Sequence, residues 1–209
     1  ERSSAASDVY KRQALHWSPT INKEQKEVIR YILWNMVYVE GGTANLGDNN
    51  NYPVDVASFF INRYEVSQDE WYVIMGENPS NQHRRNYPVD QVNWFNAQRF
   101  TKKLSQLSGL PFRLPFEAEW EYAARGGLKT KNFIYAGSNN AEQVAWFREK
   151  YYNTYVSKET GTKKPNELGL YDMSGNVYEW CMDWYDRKVP FTGNIAPVIC
   201  EKDTHKVLR

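Results

Sequence analysis

Residues 169–185 read GLYDMSGNVYEWCMDWY and bring glycines, carboxylates and aromatic rings into one short segment. Ser174, Gly175 and Asn176 are residues typical of turns, and glycine is costly inside a helix. The segment is therefore predicted to form a turn followed by a strand. Side chains alternate across a strand. The predicted core side consists of Tyr178, Trp180, Met182 and Trp184, and the opposite side consists of Val177, Glu179, Cys181 and Asp183.

Two carboxylates flank this turn, with Asp172 before it and Glu179 on the predicted strand. A tight turn frees main-chain carbonyls, and calcium binds oxygen-only sets that mix carboxylates with such carbonyls. A calcium site is therefore one interpretation. In the other, Asp172 caps the turn while Glu179 lies in water or pairs with an arginine, which is the commoner arrangement for acids near turns. The spacing alone leaves both open.

Composition limits the class of protein. The chain has 209 residues, of which 41% are hydrophobic and 15% aromatic, and its net charge is +1. This length suffices for one sizeable domain. The balanced charge gives no electrostatic basis for binding nucleic acid or an anionic membrane surface, and no apolar run reaches membrane-spanning length. We expect neither a nucleic-acid partner nor a membrane-spanning segment.

The two cysteines, Cys181 and Cys200, can be paired, free or reactive, and two thiols decide no cellular compartment. Cys181 is predicted to be a small buried hydrophobe, because no histidine lies near it in sequence and free cysteines are usually buried. With three histidines in the chain, a catalytic triad or a histidine-rich metal site has little support.

Helical and extended patterns alternate along the chain. Four helices are predicted: one after the cap Asn22, one between Ser67 and Gly76, one ending at Gly109, and one after Pro115. Glu117, Glu119 and Glu121 in the fourth helix do not share a face, so a helix with a core side and a solvated side is expected. Residues 36–47 and 54–67 are predicted to contain one strand each, the first ending at Gly41 and Gly42.

Residues 1–21 carry no apolar period and are predicted to be a leader outside the fold. The domain is then expected to cover residues 22–209. Beyond residue 128 the chain contains turn clusters and short extended pieces, with no repeat and no phosphate-binding glycine motif. The predicted class is α+β, with one irregular, loop-rich domain.

Five segments carry a family resemblance. They are MVYVEGGTANLG (36–47), FFINRYEVSQDEW (59–71), YPVDQVNWFNAQRF (87–100), RLPFEAEWEYAARGG (113–127) and PNELGLYDMSGNVYEWCMDWY (165–185). In this order they resemble the formylglycine-generating enzyme, or sulfatase-modifying factor, family, whose fold is a variant of the C-type lectin fold. The resemblance implies a structural calcium ion held by the side chains of Asp172 and Glu179 and the main-chain carbonyls of Gly175 and Val177.

The chain departs from the family pattern at a few positions. Phe116, Leu46 and Tyr178 stand where the family usually has Thr, Met and Trp, which are tolerable local changes. Residues 203–209, DTHKVLR, look like the approach to the family's Arg-Gly-Gly-Ser segment, beyond which lie its two copper-binding catalytic cysteines. The resemblance therefore implies a C-terminally truncated domain without catalytic residues, and copper only in a full-length parent.

Two functions remain open. The parent protein would use copper and oxygen to convert a cysteine of a sulfatase-type protein substrate to formylglycine. Alternatively, the domain is a non-catalytic binding or scaffold protein with a cell-envelope partner, located in the cell envelope or periplasm. The many tyrosines and tryptophans suit a binding surface, although the same rings also fill cores. Fold alone does not decide between these functions.

Overall fold

A computed structural model describes residues 15–47, 52–147, 156–185 and 205–209. Residues 1–14 of the predicted leader and Cys200 lie outside the described residues, as do residues 148–155. Within the described ranges the order of elements begins with a helix, continues through four short strands and three helices, and closes with a loop-rich half that contains two further strands.

Three capped helices form one half of the domain. They are α1 (Lys23–Trp34), α2 (Gln68–Met75) and α3 (Trp94–Ser108). Asn22 caps α1 by accepting a hydrogen bond from the Gln25 amide at 2.8 Å, and Ser67 caps α2. Gly76 and Gly109 end α2 and α3 in the left-handed conformation, which glycine adopts without a steric penalty. These three predicted helices are confirmed.

The helices enclose an apolar core that we call the helical cluster. Its buried members are Ile29, Ile32, Leu33, Trp71, Ile74, Phe100, Leu104, Leu107 and Leu110. The rings of Trp71 and Phe100 stack with centroids 5.0 Å apart. Leu15, Trp17 and Ile21 pack against the same core, so residues 15–21 contact the domain although the sequence assigns them to a leader. The boundary at residue 21 stays a prediction.

In the described residues, the strands form three separate antiparallel pairs. β1 (Met36–Val39) pairs with β4 (Phe59–Asn62), and β2 (Gly42–Leu46) pairs with β3 (Tyr52–Val56). The sequence predicts one strand in each of two segments, whereas the structure has two in each. Gly41 lies between β1 and β2, and a Cβ atom at this position would lie 2.3 Å from the carbonyl oxygen of Val56. Glycine therefore allows two backbone segments to approach each other closely where one strand ends and the next begins.

The other half is built around α4 (Glu117–Ala124), a 3₁₀ turn (Gly127–Lys129), the short α5 (Ala141–Val144), and the pair β5 (Trp180–Trp184) and β6 (Lys206–Leu208). Its core, the strand-side cluster, consists of Val39, Leu46, Val54, Val56, Phe59, Tyr122, Ala123, Ala124, Leu170 and Met173. The predicted α+β, loop-rich class is confirmed. In the described ranges, no helix combines the length and apolarity needed to cross a bilayer.

One prediction about β5 is wrong. The ring of Tyr178 is expected in the core but is 80% exposed. The strand begins at Trp180, because residues 172–179 form a loop whose hydrogen bonds run to other parts of the chain. Trp180 and Trp184 are only half-buried, so the aromatic rings do not define a single core side.

Candidate metal site

The loop from Asp172 to Glu179, which we call the metal loop, contains all four residues of the predicted calcium site. Asp172, Gly175 and Asn176 adopt positive φ angles of 58°, 138° and 64°. A Cβ atom on Gly175 would lie 2.2 Å from the carbonyl oxygen of Trp146, so only glycine permits this path. The local backbone is thus specified by residue types that tolerate left-handed geometry.

Asp172 lies at the buried start of the metal loop and is only 3% exposed. Its Oδ2 atom accepts a hydrogen bond from the Gly161 amide at 2.6 Å, while its Oδ1 atom is buried and has no hydrogen-bond partner among the described residues. Burial raises the pKa of this carboxyl, and the Gly161 hydrogen bond opposes the rise. An unpartnered oxygen of a buried carboxylate is one that a cation would stabilise.

The two predicted carbonyl ligands also accept no hydrogen bond from any other residue that the structure describes. The amide of Asn176 donates to the carbonyl of Trp146 at 2.8 Å. Because a trans peptide directs its N–H and C=O oppositely, the Gly175 carbonyl points away from Trp146. None of the hydrogen bonds between described residues uses the carbonyl oxygen of Gly175 or Val177. Both oxygens are therefore available to a ligand.

Glu179 closes the metal loop next to β5. Its Oε2 atom accepts a hydrogen bond from the indole Nε1 of Trp120 at 3.2 Å, and its backbone exchanges hydrogen bonds of 2.7 and 2.9 Å with Arg209. Burial raises the pKa of this carboxyl to about 7; the Trp120 hydrogen bond opposes the rise, and the negative charge of Asp172 adds to it. The two acids of the loop thus share a poorly solvated region.

The contacts of the two carboxylates differ from those of the turn-cap interpretation. Asp172 bonds to Gly161 in another loop instead of capping its own turn, and Glu179 bonds to an indole instead of an arginine. Across the described part of the chain, no group of three or more His, Cys, Asp or Glu side chains is arranged to hold a metal ion. A cation at this loop would therefore depend on the carbonyls of Gly175 and Val177 as well as on the two carboxylates.

The sequence analysis missed Glu65, a buried carboxylate that supports the metal loop from the far side. It is 7% exposed, accepts from the Asn176 side-chain amide at 2.6 Å and accepts from the Val177 amide at 3.1 Å. Burial raises its pKa well above the ordinary value, and the charges of Glu179 and Asp172 add to that effect. Glu65 follows β4 with no metal-ligand spacing, so only the fold reveals its place.

The acidic residues of α4 also differ from expectation. Glu119 and Glu121 are buried, not solvated. Arg113 lies 2.6 Å from Glu119, and Arg125 and Arg209 lie 2.7 and 2.8 Å from Glu121. These three guanidinium groups compensate the buried charges, so a helix that looks half-solvated in sequence is enclosed by ion pairs.

Cys181 is the one cysteine in the described ranges, and it is free and fully buried. Burial raises the pKa of its thiol, and the nearby charges of Glu179 and Glu117 raise it further. The prediction that Cys181 is a small buried hydrophobe is confirmed. A buried thiol held protonated in this way is a poor nucleophile.

The fold and the metal loop together define a lectin-like domain with short strand pairs and long structured loops. Comparison with known proteins identifies the family. Residues 22–209 match the Sulfatase-modifying factor enzyme 1-like domain, and the chain therefore belongs to the sulfatase-modifying factor family. The predicted resemblance is thereby confirmed.

Individual proteins show how far the similarity extends. Chaperone protein LppX of Paenibacillus barcinonensis is 35% identical over 204 residues, covering 72% of each protein. The formylglycine-generating enzyme of Streptomyces coelicolor is 35% identical over 112 residues, covering 49% of this chain and 34% of that enzyme. The solved structure of Treponema denticola variable protein 1 has 31% identity and a TM-score of 0.61, covering 72% of this chain and 73% of that structure.

Proposed function

We propose that this chain is a calcium-stabilised, non-catalytic binding domain. The observation that carries the proposal is the buried, unpartnered Oδ1 atom of Asp172, in the same loop as two unengaged carbonyls. The side chains of Asp172 and Glu179 and the carbonyls of Gly175 and Val177 would hold the ion. Bound there, calcium would neutralise two poorly solvated carboxylates and fix the metal loop against β5.

The non-catalytic part of the proposal rests on Cys181. Cu(I) binding needs two thiolates close together, and a single buried thiol whose pKa is raised by burial is a poor nucleophile. The match to LppX, named a chaperone protein, extends over 72% of both chains and favours an interaction with another protein. We place such a partner in the cell envelope, with the domain in the envelope or periplasm.

Chelation tests the calcium site directly. The full chain should melt at a lower temperature in EDTA than in calcium, because a ligand that binds only the folded state stabilises it by about 2.7 kcal/mol at one hundred times its Kd. Asp172→Asn should abolish the difference. Asp55→Asn, at an exposed aspartate in β3, is the matched control and should retain it. Equal melting of the unsubstituted protein in calcium and in EDTA overturns the calcium site.

A second function is favoured by the similarity to formylglycine-generating enzymes, such as the 35% identity over 112 residues to the Streptomyces coelicolor enzyme. In this alternative, a longer parent protein oxidises a cysteine of a sulfatase-type substrate with copper and oxygen. The chain spans only 34% of that enzyme's length. Mass spectrometry of a cysteine peptide after incubation with the longer parent protein, copper and oxygen distinguishes the two: an aldehyde product supports the oxidase, and an unchanged peptide supports the binding domain.

A further inference from the structure

A groove of about 590 Å³ lies between α1, the start of α2 and the loop around Gly161. We call it the acidic groove. Its lining includes the carboxylates Glu27, Glu65, Asp69, Glu70 and Glu159 and the rings of Tyr31 and Tyr64, and none of its described lining residues is a lysine, arginine or histidine. The volume lies within the roughly 300–1,000 Å³ that is typical of ligand sites.

Two of these carboxylates lie at the bottom of the acidic groove, and neither has a cationic partner in the described part of the chain. Glu65 and Glu70 are each 7% exposed. The hydrogen bonds of Glu65 come from a side-chain amide and a backbone amide, and those of Glu70 come from the hydroxyl and amide of Ser67. All of these donors are neutral. Buried carboxylates are usually paired with a cation, because desolvating an isolated charge is costly.

The rim adds further negative charge. Glu159 is exposed and accepts from the Asn86 side chain at 2.9 Å, which again is a neutral donor. Asp69 pairs with Arg85 at 3.1 Å and Glu27 with Lys23 at 3.8 Å, but the side chains of both cations are more than four-fifths exposed. Such solvated pairs contribute little and rearrange easily. The acidic groove therefore attracts positive charge along its whole depth.

The tyrosines give the acidic groove an apolar wall. Tyr31 on α1 is 55% exposed. Tyr64 packs against Tyr171 with ring centroids 5.0 Å apart, and a Cβ atom on Gly161 would lie 2.6 Å from the Tyr64 ring. Tyr64 is thus held in place from two sides. Aromatic faces bind ammonium and guanidinium groups and also pack against the aliphatic stems of lysine and arginine.

We propose that the acidic groove binds a lysine- or arginine-bearing segment of a protein partner. The cationic end of one side chain reaches Glu65 and Glu70 at the bottom, its stem lies against Tyr31 and Tyr64, and further basic residues meet Glu159 at the rim. This inference rests on the proposed binding function and gives it a place and a partner chemistry. Charge complementarity selects the occupant, since the lining residues that the structure describes include five carboxylates and no cationic side chain.

Fluorescence anisotropy with a labelled octalysine peptide tests the acidic groove. The full chain is kept in calcium at low ionic strength, and an octaglutamate peptide serves as the negative probe. Octalysine should bind, octaglutamate should not, and the affinity should fall as salt is added. Tyr31→Ala and Glu159→Gln should each weaken octalysine binding about three- to fivefold, the loss expected for one exposed cation–π contact or one partly screened charge.

Matched controls lie outside the lining. Tyr72 is as exposed as Tyr31, at 55%, and Glu77 is an exposed acid beyond the end of α2. Tyr72→Ala and Glu77→Gln should leave the affinity unchanged. Absence of octalysine binding, or equal loss in the controls, overturns the proposal. Displacement of octalysine by methylammonium at the same concentration of positive charge also overturns it, because the site would then take small cations.

The experiments test the calcium site and the acidic groove independently of each other. Equal melting in calcium and EDTA overturns the calcium site, whereas the anisotropy titration measures only the groove. A protein whose melting depends on calcium but which binds no octalysine keeps the first proposal and overturns the second. Glu65 is left unsubstituted in these tests, because it also supports the metal loop.

Discussion

The helical cluster and the metal loop are stabilised by different kinds of contact. The helical cluster consists of apolar side chains brought together by three capped helices, with the stacked rings of Trp71 and Phe100 at its centre. The metal loop consists of buried polar atoms that bond to distant parts of the chain, such as Glu65 and Trp146. The stability lost on substitution in the helical cluster should therefore increase with the apolar volume removed. The stability lost on substitution in the metal loop should increase with the number of polar groups left without a hydrogen bond.

Asn166 shows how the polar half is connected to α4. It is 6% exposed, and its side-chain amide donates to the carbonyls of Ala123 and Ala124 at 2.8 and 3.2 Å. Its Oδ1 atom accepts from the amides of Leu168 and Leu170 at 3.0 and 3.1 Å. One side chain thus satisfies four backbone groups where the chain approaches the metal loop.

The largest effect is expected for Phe100→Ala in the helical cluster. Removing a fully buried ring should lower the free energy of unfolding by about 3–5 kcal/mol, because the cavity cannot fully close. Phe95→Ala, on the same helix at a 69% exposed position, should cost far less. Urea denaturation measures both. If the helical cluster and the metal loop are independent, the Phe100→Ala variant should still melt at a lower temperature in EDTA than in calcium. Loss of this difference would show that the two regions are coupled.

Asn166→Ala should have the next largest effect. It leaves two buried carbonyls and two amides without their side-chain partner, for an expected loss of about 2–3 kcal/mol. The exposed Asn81 offers a control, since Asn81→Ala removes no hydrogen bond that the described residues make through that side chain. Denaturation curves in calcium compare the variants. A loss below about 0.5 kcal/mol, which is the range of ordinary surface substitutions, would show that water replaces the four contacts.

The third effect in this comparison is a pH dependence of the metal-free protein. Glu179 has a pKa raised from 4.5 to about 7 in the fold, so folding favours its protonated form. Its contribution to stability is fully present below pH 4.5 and is lost as the pH rises through about 7. In EDTA, stability should therefore fall between pH 5 and pH 7.5. Glu179→Gln should reduce that slope.

Repeating the pH measurement with calcium bound gives a second test of the role of Glu179. A bound cation favours the carboxylate form of Glu179, so saturating calcium should flatten or reverse the fall in stability above pH 5. Denaturation midpoints of the unsubstituted protein and Glu179→Gln at the two pH values, with and without calcium, give the comparison. Identical slopes for the two proteins in EDTA would contradict the assignment to Glu179.

The two regions also differ in how far the sequence predicts them. The caps Asn22 and Ser67 and the terminal glycines define the helices locally, and each of these three helices forms as predicted. The helical, extended and turn patterns predicted the irregular α+β class, and the order of the five segments predicted the family. The four candidate ligands all fall in one loop with unused oxygens, while the calcium ion itself stays a prediction. Local signals sufficed wherever the determining contacts lie within a few residues.

Elsewhere the determining contacts are distant in sequence. The alternation expected from Val177 onward placed Tyr178 in the core, but the hydrogen bond from the Val177 amide to Glu65 keeps this part of the chain in the loop. The glutamates of α4 looked solvated because their partners include Arg209, 88 residues from Glu121. Glu65 was overlooked for the same reason. Periodicity describes local geometry and does not report which distant side chain neutralises a buried charge.

The hydrogen bond between Glu65 and Asn176 joins residues 111 positions apart. Contacts of such sequence separation form only after much chain entropy has been lost, so we expect the metal loop to order late in folding. An ion held by that loop would then contribute little in the transition state for folding. Its effect would fall on the unfolding rate, lengthening the lifetime of the folded domain while leaving the speed of its formation nearly unchanged.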